Sequence, residues 1–247
     1  MPEGDALHRI AERLRVLEGE VVTASSPNPR AAVLGIAERI DGKRLERVEA
    51  RGKNLVLTFE GGLVVRSHLR MNGRWLVQPA GRPVLGRPWL VLRGGEWQAV
   101  QRNGPVLELG ARRLSRLGPD IMLPPPAIAE MLKRFRASDQ GCELGDALLD
   151  QTLVSGIGNK WKAEALFAVA LSPWTYLREV SDAELEAVLE AASELMHAGA
   201  HRNRVYRRAG RPCPRCSAQI RSWPQGENAR MAYWCPACQA GTRSPGA

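Results

Sequence analysis

No stretch of this 247-residue chain approaches the roughly 18 uninterrupted apolar residues that a membrane-crossing helix needs. The opening Met1-Pro2-Glu3-Gly4-Asp5 is acidic where a secretory signal is basic and then apolar. These absences speak against membrane and exported proteins and make a cytoplasmic one the expectation. There is no internal repeat and no low-complexity tract, so the length points to one or two ordinary domains, each able to bury a core. Lysine is scarce, 5 of the 35 basic residues, and acid is almost missing from residues 201–247, where nine arginines meet one glutamate.

Arginine therefore carries the charge. The net charge of +9 is unevenly spread: residues 1–120 hold 20 basic and 13 acidic groups, 121–200 hold 6 and 12, and 201–247 hold 9 and 1. Guanidinium forks bind phosphate bidentately, and clustered positive charge attracts nucleic acid or anionic lipid. Charge by itself leaves a third reading open, a basic surface that keeps the protein soluble.

The five cysteines narrow the choice. Cys213-Pro-Arg-Cys216 and Cys235-Pro-Ala-Cys238 are two C-x2-C pairs separated by eighteen residues, a pattern in which short loops let four thiolates surround one structural Zn2+ tetrahedrally. Two disulfides are the alternative, but nothing else suggests export. Cys142 stands alone and reads as an ordinary buried thiol rather than a nucleophile.

Leu7, Ile10, Leu14 and Leu17 recur at intervals of three and four, with charged residues between them, which predicts an amphipathic helix almost from the first residue. Between about 20 and 110, short β-type runs (Val21-Val22, Leu55 to Phe59, Leu63 to Val65, Trp89 to Leu92) are broken by Gly61-Gly62 and Gly94-Gly95, which predicts an antiparallel sandwich or barrel. Pro124-Pro125-Pro126 marks a boundary, and helices are expected near 127–137, 145–153, 160–170 and after Ser181, whose capping-box partner is Glu184. From 211 onward the cysteine pairs bracket two short strands, a ribbon too small to fold without its metal. The expected architecture is a multidomain α+β protein: an N-terminal helix plus antiparallel β-sandwich over 1–120, a helical domain over 127–210, and a zinc-ribbon hairpin over 211–247.

Several short constellations carry chemistry. Between two helices, Gly156-Ile157-Gly158-Asn159 is either a tight helical hairpin or a turn whose backbone N–H groups hold a phosphate, with Asn159 adding a side-chain donor. Small residues such as proline at position 2 normally lead to removal of the initiator methionine, and Pro2 would then expose a secondary amine. A terminal amine with an ordinary pKa near 8 is substantially neutral at physiological pH, unlike an ordinary lysine, and is a ready nucleophile. Attack on a carbonyl-like carbon gives an iminium, an electron sink that promotes elimination at the neighbouring C–H, and Glu3 lies beside it to shuttle protons. The plainer reading is a proline in the first helical turn with glutamate favouring the helix dipole. Lys53, in Arg51-Gly52-Lys53-Asn54, is a phosphate ligand, an acid or a solvated turn lysine. Arg230 precedes Cys235 by five residues, so a metal would hold its guanidinium on a stiff protrusion. His68, His197 and His201 lack metal-ligand company and read as structural or surface residues.

Taken together, Pro2-Glu3-Gly4, the Arg-Gly-Lys ending at Lys53, the segment from Leu148-Leu149-Asp150-Gln151 to Asn159, and the zinc hairpin with Arg230 before Tyr233-Trp234-Cys235 resemble one family, in order and over nearly the whole chain. It is the formamidopyrimidine-DNA glycosylase and endonuclease VIII group of bacterial base-excision-repair enzymes. The resemblance implies a helix–two-turns–helix domain and a bifunctional DNA glycosylase/AP lyase. In it Pro2 attacks C1′ of a damaged nucleotide flipped out of duplex DNA and forms a Schiff base, with Glu3 as general acid/base. It further implies that Lys53 assists β-elimination, that Asn159 and Arg230 grip the flanking phosphates with Arg230 aiding δ-elimination, and that Gly156, Gly158 and Lys160 contact DNA. Met71, in His68-Leu69-Arg70-Met71-Asn72-Gly73, would fill the space vacated by the flipped base.

Two departures qualify the likeness. A second glutamate expected around position 6 is replaced by Ala6, with Asp5 before it. The family's 8-oxoguanine branch has an Asp-Pro-Arg-Arg-Phe-Gly loop where this chain reads Gln101-Arg102-Asn103-Gly104-Pro105-Val106, which favours the endonuclease VIII branch and oxidised pyrimidines and leaves Arg70 or Arg102 to read the orphaned base. The competing readings are an 8-oxoguanine/formamidopyrimidine glycosylase, a non-catalytic zinc-dependent DNA-binding protein and a zinc-ribbon RNA-binding factor. The expected partner is double-stranded DNA with a damaged base or abasic site, met by a monomer in the cytoplasm at the nucleoid.

Overall fold

The computed structural model describes residues 2–199 and 202–239. The chain divides into two compact units, Met1–Ser115 and Arg116–Ala247.

The first unit begins with α1 (Gly4–Leu14), whose Leu7, Ala11 and Leu14 are buried, and a single turn then carries Leu17 into the same core. Burying each such leucine is worth about 1.5–3 kcal/mol relative to exposure. Next come β1 (Val21–Ser25), the short α2 (Pro29–Ala32) and α3 (Ile36–Ile40), then β2 (Lys43–Arg51), β3 (Asn54–Phe59), β4 (Leu63–His68), β5 (Arg74–Pro79), β6 (Leu90–Arg93), β7 (Trp97–Arg102) and β8 (Val106–Leu109). The strands pair antiparallel in the order β5-β7-β6-β1-β2-β3-β4-β8. β1 joins the halves: its Val21 and Val22 pair with β2, and its Thr23 to Ser25 pair with β6. Trp75, Leu90, Leu92 and Ala99 of one half and Leu45, Leu55, Leu57, Phe59 and Val65 of the other enter one core with Leu7 and Leu14, which makes the array a sandwich with α1 packed on it.

The second unit contains α4 (Ile128–Ala137), α5 (Leu144–Ala147), α6 (Asn159–Ala168) and α7 (Asp182–Ala198), then a hairpin of β9 (Arg221–Gln225) and β10 (Arg230–Trp234). Phe135, Leu148, Trp161, Leu185, Leu189 and Met196 form the helical core. The Ser181 capping box is present, with the Glu184 N–H donating to Ser181 Oγ at 3.3 Å and the Ser181 N–H to the Glu184 carboxylate at 2.8 Å. The helix expected over 145–153 ends at Ala147, because polar side chains beyond it bind backbone in competition with a helical ladder. Asp150 Oδ1 accepts from the Thr152 N–H at 2.8 Å, and Gln151 Nε2 donates to Leu149 O and Ile157 O at 2.9 and 3.1 Å. α6 is buried from Trp161 to Phe167, polar Lys162 and Glu164 included, and the hairpin packs on it through Ala163, Phe167, Ile220 and Cys235.

Candidate functional site

In the first unit, Pro2 is half-buried and Glu3 is 5% exposed immediately ahead of α1. The Glu3 carbonyl accepts the N–H groups of Ala6 and Leu7, at 3.0 and 3.2 Å, while its carboxylate does not cap the helix. Pro2 and Glu3 thus sit together at the positive end of the α1 dipole. Asp5, beside the missing glutamate position, is buried and ion-paired to Arg9 at 2.8 Å.

Lys53 occupies the second position of a two-residue connection, since Arg51 pairs with Asn54. Gly52 precedes it at φ +57°, the left-handed backbone such a tight hairpin requires at its first central residue. The solvated-lysine reading does not hold, because Lys53 is 9% exposed. Behind the turn, Arg66, itself buried, donates from Nη1 to Asn54 Oδ1 at 2.6 Å and from Nη2 to Glu108 Oε2 at 2.8 Å. Asn54 Nδ2 in turn donates to the Arg51 carbonyl at 3.1 Å, so the network grips both ends of the turn that carries Lys53. Hydrogen bonding from Arg66 holds the Glu108 carboxyl below its ordinary range.

Of the two readings open for His68, structural or surface, its surroundings favour the structural one. Its pKa falls to about 4, chiefly through burial and further through Arg70, Arg66 and Lys53, which together make this corner strongly electropositive. The ring is neutral at pH 7 and its Nδ1 accepts the Arg70 N–H at 3.1 Å, which leaves Nε2 as a donor. Its place at the end of β4, just before the Met71 turn, is the sequence signal that marks it.

That turn is tight: the Gly73 N–H donates to Leu69 O at 2.8 Å, and a Cβ at Gly73 would meet Leu69 O at 2.5 Å. Met71 is 61% exposed at its tip, and Arg70 is left-handed at φ +49°.

In the second unit, Asn159 opens α6, and its Nδ2 donates to the Met231 carbonyl at 2.8 Å. Met231 follows Arg230, so the turn and the hairpin expected from sequence meet at this bond. Arg230 is exposed, and its cross-strand partner Gln225 is buried. Gln225 donates to Glu143 Oε2 and Pro173 O at 2.9 and 2.8 Å and accepts from Lys162 Nζ at 3.3 Å. Arg230 is thereby carried between two anchored neighbours. The glycines divide their work: Gly156 takes φ +104° and its N–H donates to Gln151 Oε1 at 3.1 Å, so that amide serves the turn and not a ligand. Gly158 is the extended residue before α6. Lys160 lies over the Trp161 ring at 3.9 Å.

The four Sγ atoms of Cys213, Cys216, Cys235 and Cys238 lie within 4.8 Å of one another, with Cys213–Cys238 at 3.8 Å and Cys216–Cys235 at 3.5 Å. Thiolates about 2.3 Å from a tetrahedral metal stand about 3.8 Å apart, so the cluster can hold one ion. The N–H groups of Arg215 and Cys238 point at Cys213 Sγ and Cys235 Sγ at 3.4 and 3.5 Å, as thiolate acceptors favour. Cys142 lies apart, and burial with nearby Asp146 and Asp139 pushes its thiol up to about 11, which makes it inert as a nucleophile. His197 is structural, with ring nitrogens against the Ser193 and Met122 carbonyls at 2.8 and 3.1 Å. His201 lies outside the described residues.

Residues 1–104 match the model of the formamidopyrimidine-DNA glycosylase N-terminal domain, and residues 117–207 that of the formamidopyrimidine-DNA glycosylase H2TH domain. The chain is 36% identical to the probable endonuclease 8 2 of Streptomyces coelicolor over 98% of this chain and 95% of that protein. It is 32% identical to a DNA-(apurinic or apyrimidinic site) lyase of Mycolicibacterium smegmatis over 97% and 99% respectively. In fold it is similar to the crystal structure of a complex between Lactococcus lactis Fpg (MutM) and DNA containing an oxidised pyrimidine, with a TM-score of 0.82 at 20% identity over 97% of this chain and 100% of that one.

Proposed function

The chain belongs to the formamidopyrimidine-DNA glycosylase and endonuclease VIII family, and from that premise we propose how this bifunctional DNA glycosylase/AP lyase of base excision repair works. The observation that carries the reading is the pairing of Pro2-Glu3 at the head of α1 with a buried Lys53 in the electropositive corner of the same unit.

With Met1 removed, the Pro2 nitrogen attacks C1′ of a nucleotide turned out of the duplex. The C1′–base bond breaks, the base leaves with a proton, and opening of the sugar ring places a proton on O4′ and gives an iminium between Pro2 and C1′. Glu3 removes the C2′ proton, and the electron pair expels the 3′ phosphate in β-elimination. A second proton loss expels the 5′ phosphate in δ-elimination, and water releases the remaining sugar fragment from Pro2. Lys53 holds charge on the phosphate side of this sequence, while Asn159, Lys160 and Arg230 hold backbone phosphates, and Gly158 lets the chain pass close to them. Met71 fills the gap left in the stack.

The metal is a single Zn2+ whose role is structural: the four thiolates fix the hairpin that carries Arg230. The partner is damaged double-stranded DNA, and the protein acts on it as a cytoplasmic monomer. Among the described residues, no helix is long and apolar enough to cross a membrane. Oxidised pyrimidines are the preferred lesions, a reading supported by the short turn over residues 102–105 and by relatives named endonuclease 8.

The test is base release from duplexes containing thymine glycol, dihydrouracil or 8-oxoguanine, with the N-terminal mass of the same preparation. Release of the pyrimidine lesions by protein lacking Met1 is expected. Selective release of 8-oxoguanine would overturn the lesion class, and full activity with Met1 retained would overturn the role of Pro2.

A further inference from the structure

Between Glu60 and Glu96 the chain has six arginines and no acidic residue, and within this stretch lies a loop to which the proposed chemistry gives no role. Residues 80–89 join β5 to β6 and expose Arg82, Pro83, Leu85, Gly86 and Arg87. Leu85, at the tip, is 75% exposed. A single exposed leucine is ordinary on a protein surface, but this one sits between two guanidiniums on a loop with no carboxylate of its own.

Both legs of the loop are fixed. Gln98, fully buried in β7, donates from Nε2 to Pro79 O at 3.1 Å and to Arg82 O at 2.5 Å, and the Ala80 N–H donates to Glu96 O at 2.8 Å. On the returning leg, Asn28 donates from its N–H to Pro88 O at 3.0 Å and from Nδ2 to Arg87 O at 3.5 Å, and Pro88 is buried. Between these anchors only Pro83-Val84-Leu85-Gly86 is left. Gly86 takes φ +72°, the left-handed backbone that turns the chain back, and Pro83 fixes a further dihedral on the outgoing leg. The leucine is therefore held in water by the loop's own construction.

The chemistry of the tip excludes base reading. None of its four residues carries a side-chain hydrogen-bond donor or acceptor, so it cannot tell one base edge from another. It is narrow and apolar, which suits a minor groove about 6 Å wide, where apolar side chains serve as wedges. Phosphates border that groove, and Arg82 and Arg87 flank the tip with the forks that bind them. Arg87 also lines a cleft with Arg70 and Met71, so the loop continues the surface from which Met71 enters the stack. We infer that residues 82–87 hold the duplex beside the lesion, with Leu85 in the minor groove and Arg82 and Arg87 on the phosphates that border it, whatever the sequence or damage. Only a duplex has a groove to fill, so this contact favours duplex over single-stranded DNA. It rests on the reading of duplex DNA as the partner.

The test measures binding to duplex and single strand, each with either an intact nucleotide or a tetrahydrofuran abasic analogue, which binds but is not cleaved. Leu85→Ser should cost about five- to tenfold in affinity for both duplexes and leave both single strands within about twofold, while Leu85→Met should bind like wild type. Arg82→Gln with Arg87→Gln should lower the salt slope on duplex by about 2, one phosphate each. In hydroxyl-radical footprints, sugars along the minor groove beside the lesion should be protected by wild type and Leu85→Met and lose that protection with Leu85→Ser. Unchanged duplex affinity in Leu85→Ser, an equal loss on single strands, or an unchanged salt slope in the arginine pair would overturn the inference. Wild type that failed to bind the abasic duplex would instead overturn the partner itself. Because nothing is cleaved, these outcomes are independent of whether Pro2 is the nucleophile.

Discussion

Replacing Arg66 with methionine should weaken the first unit far more than an ordinary surface change. The Arg66 side chain is 6% exposed and bonds Asn54, also buried, at 2.6 Å and Glu108, 40% exposed, at 2.8 Å. The Asn54 bond is charge-assisted with both partners out of water and is worth about 1.5–3 kcal/mol, most of which is the cost of stranding Asn54 Oδ1. The Glu108 pair is partly hydrated and adds roughly 0.5–1 kcal/mol. Arg66 Nε is buried without a partner, so methionine relieves that desolvation and trims the sum to about 2–3 kcal/mol. For a unit of this size the midpoint should fall by about 8–12 °C in calorimetry. Arg66→Met and Asn54→Ala combined should cost about 1 kcal/mol less than their sum, because they break one bond between them. A midpoint within 2 °C of wild type, or strict additivity, would refute the claim that this pair holds the Lys53 turn.

His68 predicts a pH effect. Its folded pKa of about 4 lies below the unfolded value of 6.5, so the unfolded chain binds the extra proton between these limits and stability falls as pH drops from 6.5 toward 4. The loss should reach about 1–3 kcal/mol and shrink in His68→Asn, as measured by melts across that range; an unchanged slope would exclude His68 as the cause. Removing the metal with a chelator should release one ion per chain and disorder the hairpin, lowering DNA affinity while leaving the melting of the first unit in place. Converting the exposed Arg202, Arg204, Arg207 and Arg211 to glutamine should reduce the salt slope of binding by about 2–4 for damaged and undamaged duplex alike. Arg208 belongs outside that set, because its guanidinium bonds the Asn203 and Pro212 carbonyls at 3.4 Å, as does Arg215, which binds Phe167 O and Ala168 O at the end of α6.

What could be read in advance depended on how local the signal was. α1 was legible because its three- and four-residue stripe is also the buried face. β2 was not: a bulge between Leu45 and Arg47 shifts its inward side chains to Leu45, Val48 and Ala50, and the alternation that announces a strand is lost. The cysteine cluster needed only spacing. Arg66 and Arg70 flank His68 in sequence, but the burial that chiefly depresses its pKa and the charge of Lys53, which arrives from the β2–β3 turn, are tertiary and show in no window around it. The bond from Asn159 to Met231 and the anchoring of Gln225 span 72 and 82 positions, so the support beneath Arg230 was invisible although Arg230 was not. Asp150 and Gln151 lie in an apparent helix, and only their backbone bonds show why it stops.

The central claim is that the Pro2 nitrogen bonds to the sugar. Borohydride reduction during reaction with abasic duplex, followed by digestion and mass spectrometry, tests it most directly. The adduct should map to the nitrogen of a peptide that starts at Pro2. An adduct on Lys53 or any other lysine, with the Pro2 peptide unmodified, would contradict the account.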